Sequence, residues 1–276
     1  MARARILVLG ASGRVGRLMR LAWQAAQRPD VEILYQSRKG PGQHWCPGQP
    51  NPFGRVDAVI ALWGVTHGSE AELDMNSELA LAAQDVAAEC QAGRVLHCSS
   101  VAVYAPKEGP LTEQDPTAPP NPYGRAKLRM EQDLQTAAGP AATILRIGSV
   151  AGAESLASSV RAGWCDQAAA VTLDQFADGR GPARSYIAPT DLARVLVDLA
   201  VYPEPLPKVV NVGANAPVYM ESLLSAAQHP FQWRAAPDGA RQQAVMDCAL
   251  LETLVGPLDT DPRHIMGSWL SLEGRK

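Results

Sequence analysis

Tyr123 and Lys127 stand four residues apart in the stretch Asn121-Pro122-Tyr123-Gly124-Arg125-Ala126-Lys127. Pro122 suits the first position of a helix, where its fixed φ is helical and its missing N–H is not needed. A helix that starts there puts the phenol and the ammonium one turn apart on the same face. A free phenol titrates near ~10 and is a poor base at neutral pH, and a fixed positive charge beside it favours the phenolate. The pair is a candidate proton-transfer device. Two hydroxyls, Ser99 and Ser100, follow the apolar run Arg94-Val95-Leu96-His97-Cys98, at the end of a strand where a substrate would sit.

The value of that pair depends on what the chain places beside it. Gly10-Ala11-Ser12-Gly13-Arg14-Val15-Gly16 joins the apolar run Ile6-Leu7-Val8-Leu9 to a helical stretch. The first glycine permits a tight turn, the second lets backbone approach a pyrophosphate, and the third lets helix pack close to sheet. The helix start adds free N–H groups and a positive dipole end. The spacing is GxxGxxG, and no GK[ST] follows, so it is not a P-loop. The same residues also make an ordinary glycine-rich turn, but their place after the first apolar strand favours a dinucleotide.

The end of the second strand, Tyr35-Gln36-Ser37-Arg38-Lys39, carries no acid to hold a ribose 2′-hydroxyl. Arg38 can bind a phosphate bidentately, Ser37 can donate a hydrogen bond, and Arg14 could add a second charge. NADP(H) is therefore expected over NAD(H), with NAD possible; the alternative is a basic surface at a strand end. The expected cofactor contacts are Gly10, Ser12, Gly13, Arg14, Val15, Gly16, Ser37, Arg38 and Leu62, with Tyr123 and Lys127.

The elements that must position these groups alternate. Strands are expected at 5–9, 31–35, 56–62, 94–98 and 142–146, and helices at 13–26, 70–91 and 123–138. Segment 40–54 is rich in Gly and Pro without helical period, and 106–121 is a proline-rich loop. After residue 148 the pattern loosens; a helix at 190–201 and a strand at 208–212 return to the sheet, and 214–276 hold two short helices near 219–227 and 247–254. This order predicts an α/β fold, a doubly wound parallel, Rossmann-like sheet with a small irregular C-terminal substrate lobe. The dinucleotide-binding core is expected at 1–147 plus 186–213, and the substrate-binding lobe at 148–185 plus 214–276.

Composition narrows the class. The 276 residues are 46% hydrophobic, enough for a sizeable core, and the net charge of −3 comes with no basic stripe to suggest nucleic acid. No stretch approaches the ~20 apolar residues of a membrane span, and the first apolar run is too short for a signal peptide. The five Cys are scattered, without CxxC, as expected of reduced thiols in a cytoplasmic protein. The five His show no HExxH, and no metal site is expected.

With these features in place the chain resembles the extended short-chain dehydrogenase/reductase family, the NAD(P)-dependent epimerases, dehydratases and reductases. The matching residues are the turn at 10–16, Asp57-Ala58-Val59-Ile60, Asn76, Ser99-Ser100-Val101-Ala102-Val103-Tyr104, Tyr123 with Lys127, Leu145-Arg146-Ile147, Arg184-Ser185-Tyr186-Ile187 with Asp191-Leu192-Ala193, and Val210-Asn211-Val212-Gly213. They occur in the family's order over nearly the whole chain. The resemblance implies that Ser100 holds the substrate oxygen, that Tyr123 passes the proton, and that Lys127 lowers the Tyr123 pKa and binds the nicotinamide ribose. Asn76 would help order the substrate side; read alone it could also be a helix cap. Arg184 matches an Arg that contacts the diphosphate in the family's epimerases. Ser149 takes the place of a substrate-contacting Asn of sugar-nucleotide enzymes, and Ser185 that of the usual acid after Arg184.

These departures leave room for a smaller substrate. The leading expectation is an NADP(H)-dependent oxidoreductase acting on a carbonyl or secondary alcohol by hydride transfer, with a Ser100, Tyr123, Lys127 triad. The alternatives are a sugar-nucleotide epimerase or dehydratase with retained NAD(P), and a non-catalytic NADP-binding sensor or scaffold. A small-molecule substrate and a homodimer through helices 70–91 and 123–138 are implied by the family. His67 could contact substrate or be an idle loop residue, and Trp45, Trp164, Trp233 and Trp269 are expected to pack.

Overall fold

A computed structural model describes residues 3–165 and 170–275; the side chains of Trp164 and Cys165, expected to pack and to be a reduced thiol, lie outside the described residues. The elements in chain order are β1 (Ala4–Leu9), α1 (Arg14–Ala26), β2 (Val31–Ser37), β3 (Gln43–His44), β4 (Ala58–Ala61), α2 (Glu70–Glu89), β5 (Arg94–Ser100), α3 (Pro122–Thr136) and β6 (Ala141–Ile147). There follow β7 (Ser149–Val150), α4 (Ser155–Cys165), β8 (Val171–Gln175), β9 (Ala183–Arg184), β10 (Tyr186–Ile187), α5 (Pro189–Ala200) and β11 (Val209–Val212). The last are β12 (Val218–Tyr219), α6 (Met220–Ala226), β13 (Phe231–Ala235), β14 (Gln243–Ala244), α7 (Ala249–Val255) and α8 (Pro262–Leu272).

Seven strands form a parallel sheet in the order β11-β6-β5-β4-β1-β2-β3. Helices on both faces remove its strands from water, which is why they read as continuous apolar runs. Ile6, Leu7, Val8 and Leu9 of β1 and Ala58, Val59 and Ile60 of β4 are fully buried. The order reverses between β1 and β4, and a crevice at such a switch point is where ligands of this architecture bind. The glycine turn after β1 and the segment after β4 both open there.

Two features of the sheet differ from the expectation. β2 runs two residues further, to Ser37, and draws Gln36 and Ser37 into the interior. The segment 40–54 adds the edge strand β3 and fills its side of the sheet with rings. Trp45 packs edge-on to Phe53 at 5.7 Å and is stacked with Trp63 at 6.3 Å. Its Pro and Gly residues rule out a helix, so aromatic area covers the sheet instead.

The chain divides into two compact units, Met1–Pro106 with Gln114–Ile147 and Ala193–Val210, and Lys107–Glu113 with Gly148–Leu192 and Asn211–Lys276. Residues 107–113, 186–192 and 211–213, expected in the core, fall in the second unit. The reason is local: β10 pairs with β7, and the Asn211 amide donates to the carbonyls of Leu111 and Asp247. The second unit is more regular than expected, with β8 paired to β13 and β9 between β12 and β14. It also contains α8, which the sequence expectation missed; Asp261 caps it and Pro262 starts it. Trp45 and Trp269 are buried as expected, whereas Trp233 is 38% exposed. Among the described residues no helix is long and apolar enough to cross a membrane.

Candidate active site

Gly10 has φ +85°, and a Cβ on it would lie 2.6 Å from the Trp63 backbone nitrogen. A Cβ on Gly16 would lie 2.3 Å from the Gly10 carbonyl oxygen, so any larger residue would push α1 off the turn. Gly13 differs: its Cβ would meet only the Gly10 oxygen, at 3.3 Å. No side chain caps α1, its first turn holds no acid, and Ser12, Gly13 and Arg14 are exposed. Open space over uncapped N–H groups at a positive dipole end is a cradle for a pyrophosphate. Val15, in the turn, and Leu62, just after β4, are half-buried, and the Leu62 amide donates to the Leu9 carbonyl at 2.9 Å. Arg14 Nη2 donates to Thr66 Oγ1 at 2.9 Å, tying the turn to the segment after β4.

At the end of β2, Arg38 is exposed, as a phosphate contact requires. Ser37 is not available as expected. It is fully buried, and its hydroxyl donates to the Gly40 carbonyl at 3.4 Å, because the extended β2 turns it inward. Gln36 was missed. Its Oε1 accepts from the Gly10 amide at 2.9 Å and its Nε2 donates to the Trp45 carbonyl at 2.6 Å, so it locks the turn to the aromatic segment.

β5 delivers Ser100 to the crevice. Ser100 Oγ accepts from the Ala102 amide at 3.2 Å, capping a short turn over Val101–Val103, and is hydrogen-bonded to the Tyr123 hydroxyl. α3 begins at Pro122, as expected, with the Gly124 amide donating to Asn121 Oδ1 at 2.8 Å. A Cβ on Gly124 would lie 2.2 Å from the Ala102 carbonyl oxygen. Only glycine lets α3 approach the turn this closely, which brings the phenol to Ser100.

Lys127 follows one turn later and is 4% exposed, with Nζ donating to the Cys98 carbonyl at 2.9 Å. Burial pushes its pKa from 10.5 down to about 8, against the opposing influence of Cys98 and Glu131. The expected lowering of the Tyr123 pKa by Lys127 is not found. Burial raises the Tyr123 pKa; the Ser100 hydrogen bond opposes that rise, as does the Arg14 charge. Burial of the phenol is the largest influence on it, and Lys127 Nζ spends its hydrogen bond on a strand carbonyl.

The buried lysine has a stability consequence. Its folded pKa lies below its unfolded value, so between pH about 8 and 10.5 the unfolded chain holds a proton that the native chain has released. Stability from this group therefore rises with pH through that window, and the full cost stands below it. Lys127→Met is expected to stabilise the protein by about 2–3 kcal/mol at pH 7, with the gain shrinking towards pH 10, in urea unfolding at both values. An equal effect at both pH values would contradict this.

Asn76 is 1% exposed and does not cap α2, whose cap is Ser69 in a capping box with Glu72. Its Oδ1 accepts from the Val65 amide at 3.2 Å, and its Nδ2 donates to the carbonyls of Val65 and Leu73 at 2.9 and 2.7 Å. Asn76 thus pins the segment after β4 and has no donor left for a substrate. A Cβ on Gly64 would lie 2.8 Å from Asn76 Oδ1 and 3.2 Å from Lys127 Nζ, so that segment passes close to both groups. His67 is exposed, its Nδ1 2.8 Å from Thr66 Oγ1. Among the described residues no group of three His, Cys, Asp or Glu side chains could hold a metal ion.

Ser149 and Arg184 belong to the second unit. The Ser149 amide donates to the Ser185 carbonyl at 2.8 Å, and Ser185 Oγ accepts from the Met246 amide at 2.8 Å. Arg184 Nη1 donates to the carbonyls of Ala183 and Gln242 at 2.7 and 2.8 Å. Arg241, which carried no signal of its own, donates to the Lys107 carbonyl at 3.2 Å. Burial lowers the Arg184 pKa first, and the nearby Arg241 charge lowers it further. Neither guanidinium is paired with a carboxylate among the described residues. Two adjacent cations held on backbone carbonyls have the chemistry to take an anion.

A family model described as the NAD dependent epimerase/dehydratase family matches residues 6–213. A curated UDP-glucose 4-epimerase of Azospirillum brasilense is 46% identical over 65 residues, 22% of this chain and 19% of that protein, so the match spans about a fifth of the relative. Among solved structures, the UDP-glucose-4-epimerase of Stenotrophomonas maltophila with NAD and formylated UDP-arabinopyranose has TM-score 0.78 at 18% identity, over 99% of this chain and 98% of that one. The UDP-glucuronic acid 4-epimerase of Bacillus cereus with UDP-glucuronic acid and NAD has TM-score 0.74 at 15% identity, over 98% and 99%. At such identities these structures establish a shared fold.

Proposed function

The chain belongs to the NAD-dependent epimerase/dehydratase family, enzymes of the short-chain dehydrogenase/reductase type, and from that premise we propose that it epimerises or dehydrates a nucleoside diphosphate sugar with a dinucleotide that stays bound. This displaces the carbonyl-reducing reading that the sequence favoured. The observation that carries it is the Arg184 and Arg241 pair. A small ketone or alcohol offers nothing to two unpaired guanidinium groups, whereas a diphosphate offers four or more acceptor oxygens. The sugar-nucleotide ligands of the solved relatives support the same reading.

The residues present fit a dinucleotide. The amides from Ser12 to Gly16 would face the pyrophosphate, with Gly10 and Gly16 permitting the approach and Arg14 adding charge. When bound, the dinucleotide supplies a site that takes a hydride from a sugar carbon and returns it. Ser100 Oγ would hold the oxygen on that carbon, and Tyr123 Oη would exchange the proton with it. When the hydride leaves, Tyr123 as phenolate would take the hydroxyl proton, and as phenol it would give that proton back to the alkoxide when the hydride returns; the Ser100 hydrogen bond favours the phenolate and burial favours the phenol. Lys127 Nζ, fixed by Cys98, would hold the ribose hydroxyls.

The absence of an acid after β2 and the exposed Arg38 support NADP, although the solved relatives named above carry NAD. Arg38→Ala is expected to weaken NADPH binding about 10-fold, the scale of one charge-assisted contact of ~1.5 kcal/mol, and to spare NADH. Equal weakening of both in a fluorescence titration would remove the 2′-phosphate assignment. The four described cysteines are free thiols, which supports a cytoplasmic location. α2 exposes Met75 and Leu81, which supports a homodimer through α2 and α3; sedimentation as a monomer at micromolar concentration would remove it.

Retention of the cofactor separates the two catalytic readings. Mass spectrometry of the supernatant after denaturing the purified protein is expected to show about one dinucleotide per chain, as a bound redox group requires. A protein purified empty, which oxidises NADPH with a free ketone, would restore the reductase.

A further inference from the structure

Behind the reacting strand lies a second polar cluster, drawn from three elements and the turn after β5. Glu131 stands one turn beyond Lys127, so Tyr123, Lys127 and Glu131 form one stripe of α3. Glu131 Oε1 accepts from Ser99 Oγ at 2.5 Å, and Oε2 accepts from Arg146 Nη2 at 2.7 Å. Arg146 Nε reaches both oxygens at 3.2 Å. Ser99 is the chain neighbour of Ser100, and it is also the register partner of Arg146 across β5 and β6. The Arg146 guanidinium lies 4.7 Å from the centre of the Tyr104 ring, and Tyr104 closes the turn that Ser100 opens. Ser99, Tyr104, Glu131 and Arg146 are all nearly closed to solvent.

An ion pair this deep is a poor stabiliser, because desolvating its two charges offsets their attraction and well-packed apolar groups often serve as well. What a bidentate carboxylate fixes is direction. Successive strand residues point to opposite faces, so holding Ser99 also sets the direction of Ser100. A displacement of about 1 Å between reacting groups is costly to a proton transfer.

We infer that Glu131, by gripping Ser99 and Arg146 together, is a positioning residue that fixes α3 against the end of β5 and so sets the contact between Ser100 and Tyr123. This rests on Ser100 and Tyr123 as the reacting pair and not on the identity of the substrate. The groups acting on Tyr123 are Ser100, Cys98 and Arg14, and of these Ser100 is the hydrogen-bond partner, adjacent to the clamped residue.

Ser99→Ala removes one oxygen and leaves the ion pair in place. The readout is the Tyr123 Cζ resonance in 13C-tyrosine-labelled protein without substrate, identified by its loss in Tyr123→Phe. Loosening the Ser100 contact weakens a bond that favours the phenolate, so ionisation is expected to begin roughly half a pH unit higher or more. Ser99→Thr, which restores the hydroxyl, is expected to return the onset towards wild type. A purely structural clamp would lower Tm and leave the resonance unmoved, and that result overturns the inference. Glu131→Gln keeps an acceptor for Ser99 but breaks the ion pair, and is expected to shift the onset in the same direction. An unmoved onset in either variant overturns the inference. Failure of the sugar-nucleotide reading would leave this titration unchanged.

Discussion

Tyr123→Phe is expected to reduce turnover by roughly 10²–10⁴-fold, the range for loss of a positioned acid–base group, while dinucleotide affinity stays within about threefold. The change deletes one oxygen at the end of a ring held by α3, whose start is fixed by Asn121, Pro122 and the close approach of Gly124 to the Ala102 carbonyl. Nothing in that packing depends on the hydroxyl, so the fold is retained. The Ser100 hydroxyl loses its partner, but it sits at a crevice and can bind water at little cost. With the phenol assigned as the proton carrier, the loss is expected in kcat rather than KM. The result also bears on a silent dinucleotide-binding sensor, for which turnover is absent and Tyr123→Phe changes nothing.

Arg184→Ala is expected to weaken binding of a nucleoside diphosphate, read with UDP in a calorimetric titration, about 10- to 100-fold, or ~1.5–3 kcal/mol for lost charge-assisted hydrogen bonds. Dinucleotide affinity is expected to be unaffected. Truncating Arg184 also frees the carbonyls of Ala183 and Gln242, which water can reach because Arg184 is only half-buried. Arg241→Ala is expected to act in the same direction, and the double variant less than additively, because the two charges are assigned to one ligand. Unchanged UDP binding in both single variants would remove the diphosphate assignment.

The first unit was largely legible in the sequence, because parallel strands buried on both faces declare themselves as apolar runs. The glycine turn and the start of α3 were legible for a different reason, since Gly10, Gly16 and Pro122 each meet a backbone requirement that few other residues satisfy. The burial of Ser37 was not legible. Two further residues of β2 depend on pairing with β3, where Gln36 and Ser37 face Gln43 and His44, and a two-residue strand carries no periodic signal. The same limit hid most of the second unit, whose strands other than β8 and β13 are two residues long. α8 was legible and missed: Asp261-Pro262 uses the same cap and proline that located α3. Glu131 was also within reach, lying on the helical stripe of Tyr123 and Lys127, but its partners Ser99 and Arg146 come from two strands that only the sheet register brings together. The pKa of Tyr123 was beyond reach, because it is decided first by burial and then by the Ser100 hydrogen bond, neither of which is written in a spacing.

Ser100, Tyr123 and Lys127 are assigned here to a redox cycle that closes on itself at a nucleoside diphosphate sugar. This assignment is tested most directly by incubating the purified protein with UDP-glucose and UDP-glucuronic acid, following the sugar by proton NMR and the dinucleotide by absorbance at 340 nm. A new sugar-nucleotide resonance set, from epimerisation or loss of water, is expected with no net change at 340 nm. Stoichiometric loss of added NADPH with a simple ketone, and no change in either sugar nucleotide, would contradict it.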